Sequence, residues 1–446
     1  MNNLTAISPI DGRYFEDTQE LSQYFSEYAL FKTRVEFEIK YLSFLEKEKI
    51  APKIRNHSQL EDIYNKFSIK DAEKVKYLEK ETNHDVKAVE IFIGSKLKNM
   101  NNEKLIPFIH FALTSYDIND TAYRLMIKRA LSEILIPQLV NLTNILWGLS
   151  KKYSDLVILG RTHGQPAVPT TLGKEFVVFA SRLDRQLRLL KSIKYYSKLS
   201  GAVGNWNAHT LAYPKMNWFN LSNNFLKSLG LENIKISTQI TPADDIVQLF
   251  QTFILINLIL LDLDRDMWRY ISDNWIIKKT EGNEVGSSTM PQKVNPINFE
   301  NSEGNLELAN SLFTVFTREL PVSRLQRDLS DSTQLRNIGV AFAHGLIAYK
   351  NTIKGLLKIE INKAKIKIDL NENWNILAEG LQTILRKEGK QEAFNNVVSL
   401  MKGKIINQKE WQKIIEGLNI SVKEKNNLLK LTPETYIGMA KKLSSK

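Results

Sequence analysis

Sixteen consecutive residues, Ile246 to Leu261, carry no charge, and the polar ones among them are two glutamines, a threonine and an asparagine. At helical spacing this stretch is apolar nearly all round, which places it at the centre of a large bundle. It is too short and too polar for a membrane span. The helix predicted around it runs from Pro242 to Ile277.

Four other long helices accompany it. From Asp120 onward, leucines at 135, 139, 142, 146 and 149 alternate spacings of four and three, the seam of a bundle helix. Pro137 is expected to kink that helix, because its missing N–H leaves one carbonyl unpaired. A second helix is predicted from Thr171 to Leu199, with Leu172, Phe176, Phe179 and Leu183 on one stripe. Others cover 299–320 and Asp331 to Leu357. No run alternates with period two for long enough to build a sheet. The expected fold is therefore all-α, with a long central helical bundle over 110–357.

Residues 1–109 are expected to form an N-terminal helical domain. Its first amphipathic run, from about Glu20 to Lys49, passes through Phe25, Leu30, Val35 and Ile39, and breaks near Asn56 and Ser68 separate the helices that follow. Residues 358–446, lysine-rich and punctuated by Asn371, Gly403 and Gly417, suggest a small third helical domain.

Composition removes several classes of chemistry. The chain has no cysteine, which excludes disulfides, thiolate metal sites and a cysteine nucleophile. The six histidines stand one at a time, so no metal site is expected. The N-terminus has neither a basic region nor an apolar core, so no signal peptide is expected and a cytoplasmic location follows. Net charge is +12, but the lysines are scattered through helical text. That favours a solvated basic surface over a nucleic-acid footprint, and its field also suits a small anionic substrate.

Chemistry-bearing residues gather at breaks between helices. Gly286 to Pro296 (GSSTMPQKVNP) packs Ser287, Ser288, Lys293 and Asn295 into a loop closed by prolines, with Glu300 just beyond. His163 lies in Arg161 to Pro166 (RTHGQP) ahead of a long helix, which would aim its imidazole from a helix end. It is equally open to a catalytic or a structural role, since histidine gives or takes a proton near neutral pH. His84 and His110 also sit in polar breaks. His344, in apolar helical text, suits the core, His57 a solvated linker, and His209 a turn or a lid. Arg324, Arg327 and Arg336 lie among hydroxyls ahead of the last long helix, where an anion site and a solvated turn are equally open.

These residues carry a resemblance. Gly286 to Glu300 resembles the signature of the fumarase/aspartase superfamily, GSSxMPxKxNxxxxE, at every specified position. Within it, Ser8 to Tyr14 (SPIDGRY), Thr82 to Val86 (TNHDV), Thr114–Ser115, Arg161 to Ala167 (RTHGQPA) and Gln326 to Thr333 (QRDLSDST) resemble the bacterial long-chain type of the adenylosuccinate lyase family. The likeness covers essentially the whole chain.

The resemblance implies a homotetramer of three-domain helical subunits whose central helices form a twenty-helix core, with each active site shared by three subunits. It implies β-elimination of fumarate from adenylosuccinate, giving AMP, and from the succinyl-aminoimidazole-carboxamide ribotide, with no metal or organic cofactor, no nucleic acid and no membrane. The implied base is Ser287, which only family position distinguishes from Ser288. Its alkoxide would be stabilised by Lys293 and backbone amides. His163 is the implied acid, oriented by Glu300. Lys293 and Asn295 would hold the succinyl carboxylates. Arg13, Arg327, Ser332 and Arg336 would hold the 5′-phosphate, with Tyr14 beside it. Asn83, His84, Asp85, Thr114, Ser115 and Gln239 would line the pocket and Asn301 would close it. Thr333, Gln334 and Leu335 count as substrate-binding with the same segment. One departure is Gln292, where most relatives carry histidine.

Two other readings compete. A sister lyase acting on argininosuccinate or fumarate would share the signature but gives no reason for Arg327 and Arg336. A structural or basic nucleic-acid-binding protein gives no reason for the polar loop residues.

Overall fold

The computed structural model describes residues 3–278, 289–290, 292–404 and 406–444. Its class is the expected all-α, with short strands in a supporting role. At the N-terminus the helix predicted from Glu20 begins only at Glu27, and the breaks read near Asn56 and Ser68 are helix caps. Ser26 accepts the Ala29 N–H at 3.2 Å and starts α1, Glu27–Lys47. Asn56 starts α2, His57–Asn65, by accepting the Gln59 N–H. Ser68 and Asp71 form a reciprocal capping box at the start of α3, Ile69–Thr82. After Asn83, which takes left-handed backbone at φ 55, comes α4, Asp85–Asn99.

The helix of the leucine seam comes in two parts, α5 (Ser115–Ala130) and α6 (Ile136–Lys152), joined by one π turn, Leu131–Leu135. The Ile136 N–H reaches back five residues to the Leu131 carbonyl. Pro137 thereby falls in the first turn of α6, where a missing N–H costs little. The π turn is how this helix accommodates the proline.

Beyond it the sequence reading needs correcting in four places. The text between Val157 and Thr171 is an antiparallel hairpin of β1 (Val157–Thr162) and β2 (Gln165–Thr171). The following helix, α7 (Leu172–Ser192), ends seven residues short of the predicted Leu199. The chain leaves it so that β3, Tyr196–Ser197, can pair in parallel with β4, Glu232–Asn233. Ser197 there shares a buried hydrogen bond with Thr121 at 2.7 Å, an anchorage that outweighs local propensity. The apolar helix α8, Asp244–Ser272, stops before left-handed Asn274, and β5, Ile276–Lys278, follows. After α9, Ile297–Glu319, the last predicted helix divides at Asn337 into α10, Ser330–Arg336, and α11, Ile338–Leu357. Strand β6, Ile359–Ile361, then pairs with β5.

The chain forms two compact units. One comprises residues 1–139, 186–258 and 304–350. Its core contains Phe37, Tyr41 and Phe225, packed edge-on at 5.3–5.4 Å. A second aromatic group joins Phe250 and Phe253 of α8 to Phe313 of α9 and Phe342 of α11, with centroids 5.1–6.0 Å apart. The other unit comprises residues 140–185, 259–303 and 351–446. There Ser444 ties the last helix to Ser150 and Thr171, and buried Trp411 donates to the Leu428 carbonyl at 2.9 Å. Helix α8 is long and apolar enough to cross a membrane, and 61% of its most apolar window is buried within the protein.

Candidate active site

In the first unit, Asn83, His84, Asp85, Thr114 and Ser115 sit at helix ends. Asn83 closes α3, and the Nδ1 atom of His84 accepts the Lys87 N–H at 3.2 Å, capping α4. That contact leaves Nε2 as the protonated nitrogen of the neutral ring. Asp85, the first residue of α4, accepts from Arg34 at 2.7 Å and stands 3.7 Å from Arg336. Burial alone would raise the Asp85 pKa, but the two arginines outweigh it and hold the carboxyl below the usual range. Arg34 is itself buried and also donates to Asn119 of α5 at 2.8 Å.

Thr114 and Ser115 open α5. The Thr114 N–H donates to Asp117 at 2.9 Å, and Asp117 also pairs with fully buried Lys198. Gln239 donates to the Ala202 carbonyl at 2.8 Å and accepts from Arg327 at 3.3 Å. The Arg327 guanidinium lies 4.6 Å from the centroid of the Tyr116 ring. Ser332 and Thr333 lie in α10, and the buried Oε1 of Gln334 has no hydrogen-bond partner among the described residues. Leu335 packs against a cluster of Leu30, Ala122, Tyr123 and Met126. Arg13 is exposed near the N-terminus and Tyr14 is half-buried beside it.

In the second unit, His163 stands at the tip of the β1–β2 hairpin and not at a helix end, which corrects the sequence reading. It and Gly164 form a two-residue turn with φ of 52° and 74°, the geometry that matches strand twist. Left-handed backbone is uncommon for a residue with a side chain and often accompanies function. Two residues earlier, Arg161 stacks 5.5 Å from the Trp275 ring and approaches Asp273 at 3.5 Å. Glu300, in the first turn of α9, accepts from Trp268 at 3.2 Å. No hydrogen bond or ion pair joins Glu300 to His163 among the described residues. Lys293 is exposed, the Asn295 carbonyl accepts from Lys278 at 3.3 Å, and Asn301 is half-buried in α9. Ser287 and Ser288 lie outside the described residues.

The remaining histidines are sorted by their surroundings. His344 is buried against Asn305 at 2.8 Å, as its apolar text suggested. His57 is exposed beside Glu46. His110 is bound to Glu38 at 2.8 Å, and although burial opposes it, that carboxylate raises its pKa. His209 is not in a turn. It is buried in a short helix, Asn207–Ala212, against Trp218. No cluster of three or more His, Cys, Asp or Glu side chains is placed to hold a metal ion among the described residues.

A family model described as "Lyase" matches residues 12–308, and one described as "Adenylosuccinate lyase C-terminal" matches residues 323–437. An adenylosuccinate lyase of Legionella pneumophila (strain Corby) is 47% identical, over 99% of this chain and 98% of its own. The chain belongs to the adenylosuccinate lyase family. Its relatives of that name include one from Dictyostelium discoideum, 46% identical over 98% of this chain and 97% of its own. Another, from Escherichia coli (strain K12), is 44% identical over 99% and 98%. A fumarate lyase from Mesorhizobium sp. BNC1 has the same fold, with a TM-score of 0.79 over 96% of both chains at 17% identity. As a member of the adenylosuccinate lyase family the chain is a lyase.

Sequence reasoning missed Arg34, Tyr116, Asp117, Asn119 and Lys198. A signal existed for Asp117, because a threonine followed three residues later by a carboxylate is a helix-start pattern. For Arg34 and Lys198 nothing in the local text distinguishes a buried cation from a solvated one.

Proposed function

We propose that this chain cleaves adenylosuccinate to AMP and fumarate, and the analogous succinyl-aminoimidazole-carboxamide ribotide. The observation that carries the reading is the near-full-length identity to adenylosuccinate lyases, since a fold by itself does not fix the substrate. Arg327 and Arg336, in one segment on either side of Ser332, supply the guanidiniums a 5′-phosphate needs.

The reaction must remove a weakly acidic proton next to a carboxylate and protonate a departing nitrogen. In this reading Ser287 takes the proton as an alkoxide stabilised by Lys293, and His163 protonates the nitrogen. Asn295 and Lys293 hold the succinyl carboxylates as charge develops on them. Glu300 orients His163 once the site is assembled. Arg13 and Tyr14 join the phosphate contacts, while Asn83, His84, Asp85, Thr114, Ser115, Gln239 and Asn301 line the pocket. Thr333, Gln334 and Leu335 complete that wall.

We further read the chain as a cytoplasmic homotetramer of three-domain subunits (1–109, 110–357, 358–446) with shared active sites. Exposed apolar residues on the long helices support assembly: Leu255 and Leu258 on α8, and Leu308 and Val315 on α9. The test is purified protein mixed with adenylosuccinate, followed by near-ultraviolet absorbance, which should fall as fumarate leaves. His163→Ala and Ser287→Ala should each lose roughly a hundred- to ten-thousand-fold in kcat. Near-normal turnover in either variant overturns that assignment, and no elimination by the wild type overturns the reading.

A further inference from the structure

Asp117 and Lys198 are both fully buried, at 0% side-chain exposure, with Nζ 2.6 Å from Oδ1. Such a pair is weak evidence for stability, because apolar residues of similar volume often replace one without loss. Here every polar atom has a specific assignment. Asp117 Oδ1 also accepts the Ser200 N–H at 3.2 Å, and Oδ2 accepts the N–H groups of Thr114 at 2.9 Å and Gly201 at 3.2 Å. Lys198 Nζ donates to the Gly201 carbonyl at 2.9 Å. One carboxylate therefore holds the residue that opens α5 and the turn at 200–201 in a single frame.

The contacts continue from that turn. The Ala202 carbonyl accepts from Gln239 at 2.8 Å, and Gln239 accepts from Arg327 at 3.3 Å. Arg327 then stacks on Tyr116, the residue between Ser115 and Asp117, at 4.6 Å. The path closes on itself. Thr114, Ser115, Gln239 and Arg327 lie on this ring, and the Asp117–Lys198 pair is its buried junction.

We propose that Asp117 and Lys198 are positioning residues for substrate recognition, setting the distance between the Thr114–Ser115 hydroxyls and the Arg327 guanidinium. The inference rests on reading those four residues as substrate contacts. Neither Asp117 nor Lys198 touches substrate; each acts through the ring.

The test is a double-mutant cycle on the full-length protein, with adenylosuccinate as substrate. Lys198→Met should raise KM by roughly tenfold to a hundredfold and change kcat much less. Arg327→Met should raise KM in the same assay. The double variant should be little worse than Arg327→Met alone, because the two act on one element. Lys198→Gln, which keeps a donor for the Gly201 carbonyl, is the second variant and is run through the same cycle if Lys198→Met does not fold. Wild-type KM in the foldable Lys198 variant, or additive effects in the double variant, overturns the proposal. Loss of folding in both Lys198 variants assigns the pair to stability alone and overturns it too. Unchanged KM in Arg327→Met instead overturns the assignment of the pocket, a distinct result.

Discussion

Arg34 reaches Asp85 with one arm of its guanidinium, Nη2 to Oδ2 at 2.7 Å, while its Nε donates to Asn119 at 2.8 Å. One side chain of α1 thus fixes the start of α4 against α5. Lysine has a single charged tip and cannot span both partners. Arg34→Lys is expected to lower stability by about 1.5–3 kcal/mol, the cost of hydrogen bonds to a charged group. The variant should also change the acid limb. Because Asp85 has a folded pKa below its ordinary 3.8, its contribution is complete above that value and is lost as pH falls through the folded one. Urea midpoints at pH 7 and pH 3 should therefore differ less in the variant than in the wild type; an unchanged difference counts against the clamp.

His209 is buried on Trp218 at a ring separation of 4.7 Å, and neither ring nitrogen has a hydrogen-bond partner among the described residues. Burial pushes its pKa down to about 4, with Lys198 adding to the depression and Asp117 opposing it. The unfolded chain takes up a proton near pH 6.5 that the folded chain refuses, so stability falls as pH drops from there towards 4. At pH 5 that loss amounts to about 2 kcal/mol. His209→Phe keeps a ring against Trp218 and removes the titration. It should gain stability relative to the wild type on going from pH 7.5 to pH 5, as read by urea unfolding; parallel curves would sink the idea.

Asp264, on α8, is buried with the Thr352 hydroxyl at 3.1 Å and Ser302 beside it. Burial pushes its pKa well above the ordinary value, against those hydrogen bonds. The folded chain keeps a proton that the unfolded chain releases above about pH 4, so stability declines as pH rises from there towards the folded pKa. Asp264→Asn has the same shape without the titration. Its denaturation midpoint should exceed the wild type's at pH 8 and match it near pH 4. A lower midpoint at pH 8 would show that the ionised carboxylate is wanted.

Gly160 sits where the β1–β2 register shifts, and a Cβ there would meet the Val168 carbonyl oxygen at 2.3 Å. The obstacle is backbone, so the ladder itself must move. Gly160→Ala is expected to destabilise by roughly 1–3 kcal/mol, as overpacking does, and to lower kcat by tenfold or more through displacement of His163. Retention of wild-type kcat would show that the tip tolerates a distorted ladder.

The long helices were legible because apolar periodicity reports which face is buried, and Asn56 and Ser68 were legible as breaks because their side chains cap helices. The hairpin was not. Among the described residues its strands pair only with each other, and Pro166 and Pro169 within β2 read as loop punctuation. The early end of α7 depends on Ser197 meeting Thr121, a contact between residues 76 apart that no local window contains. The site divides the same way. Residues of the motif could be named from the sequence, whereas the burial and distant partners of Arg34, Tyr116 and Lys198 are not encoded in charge and spacing.

The two-residue turn at His163 and Gly164 makes the direction of the imidazole a matter of counting. The ladder is in register from Arg161 opposite Pro166 to Thr162 opposite Gln165. Successive side chains alternate between its faces, so one residue gained or lost in β1 turns those beyond it to the opposite side. Substitutions across the lysine-rich surface leave that count untouched. On the proposed role of His163, a single-residue deletion within β1 is expected to lower kcat as His163→Ala does, even with every residue of the motif present.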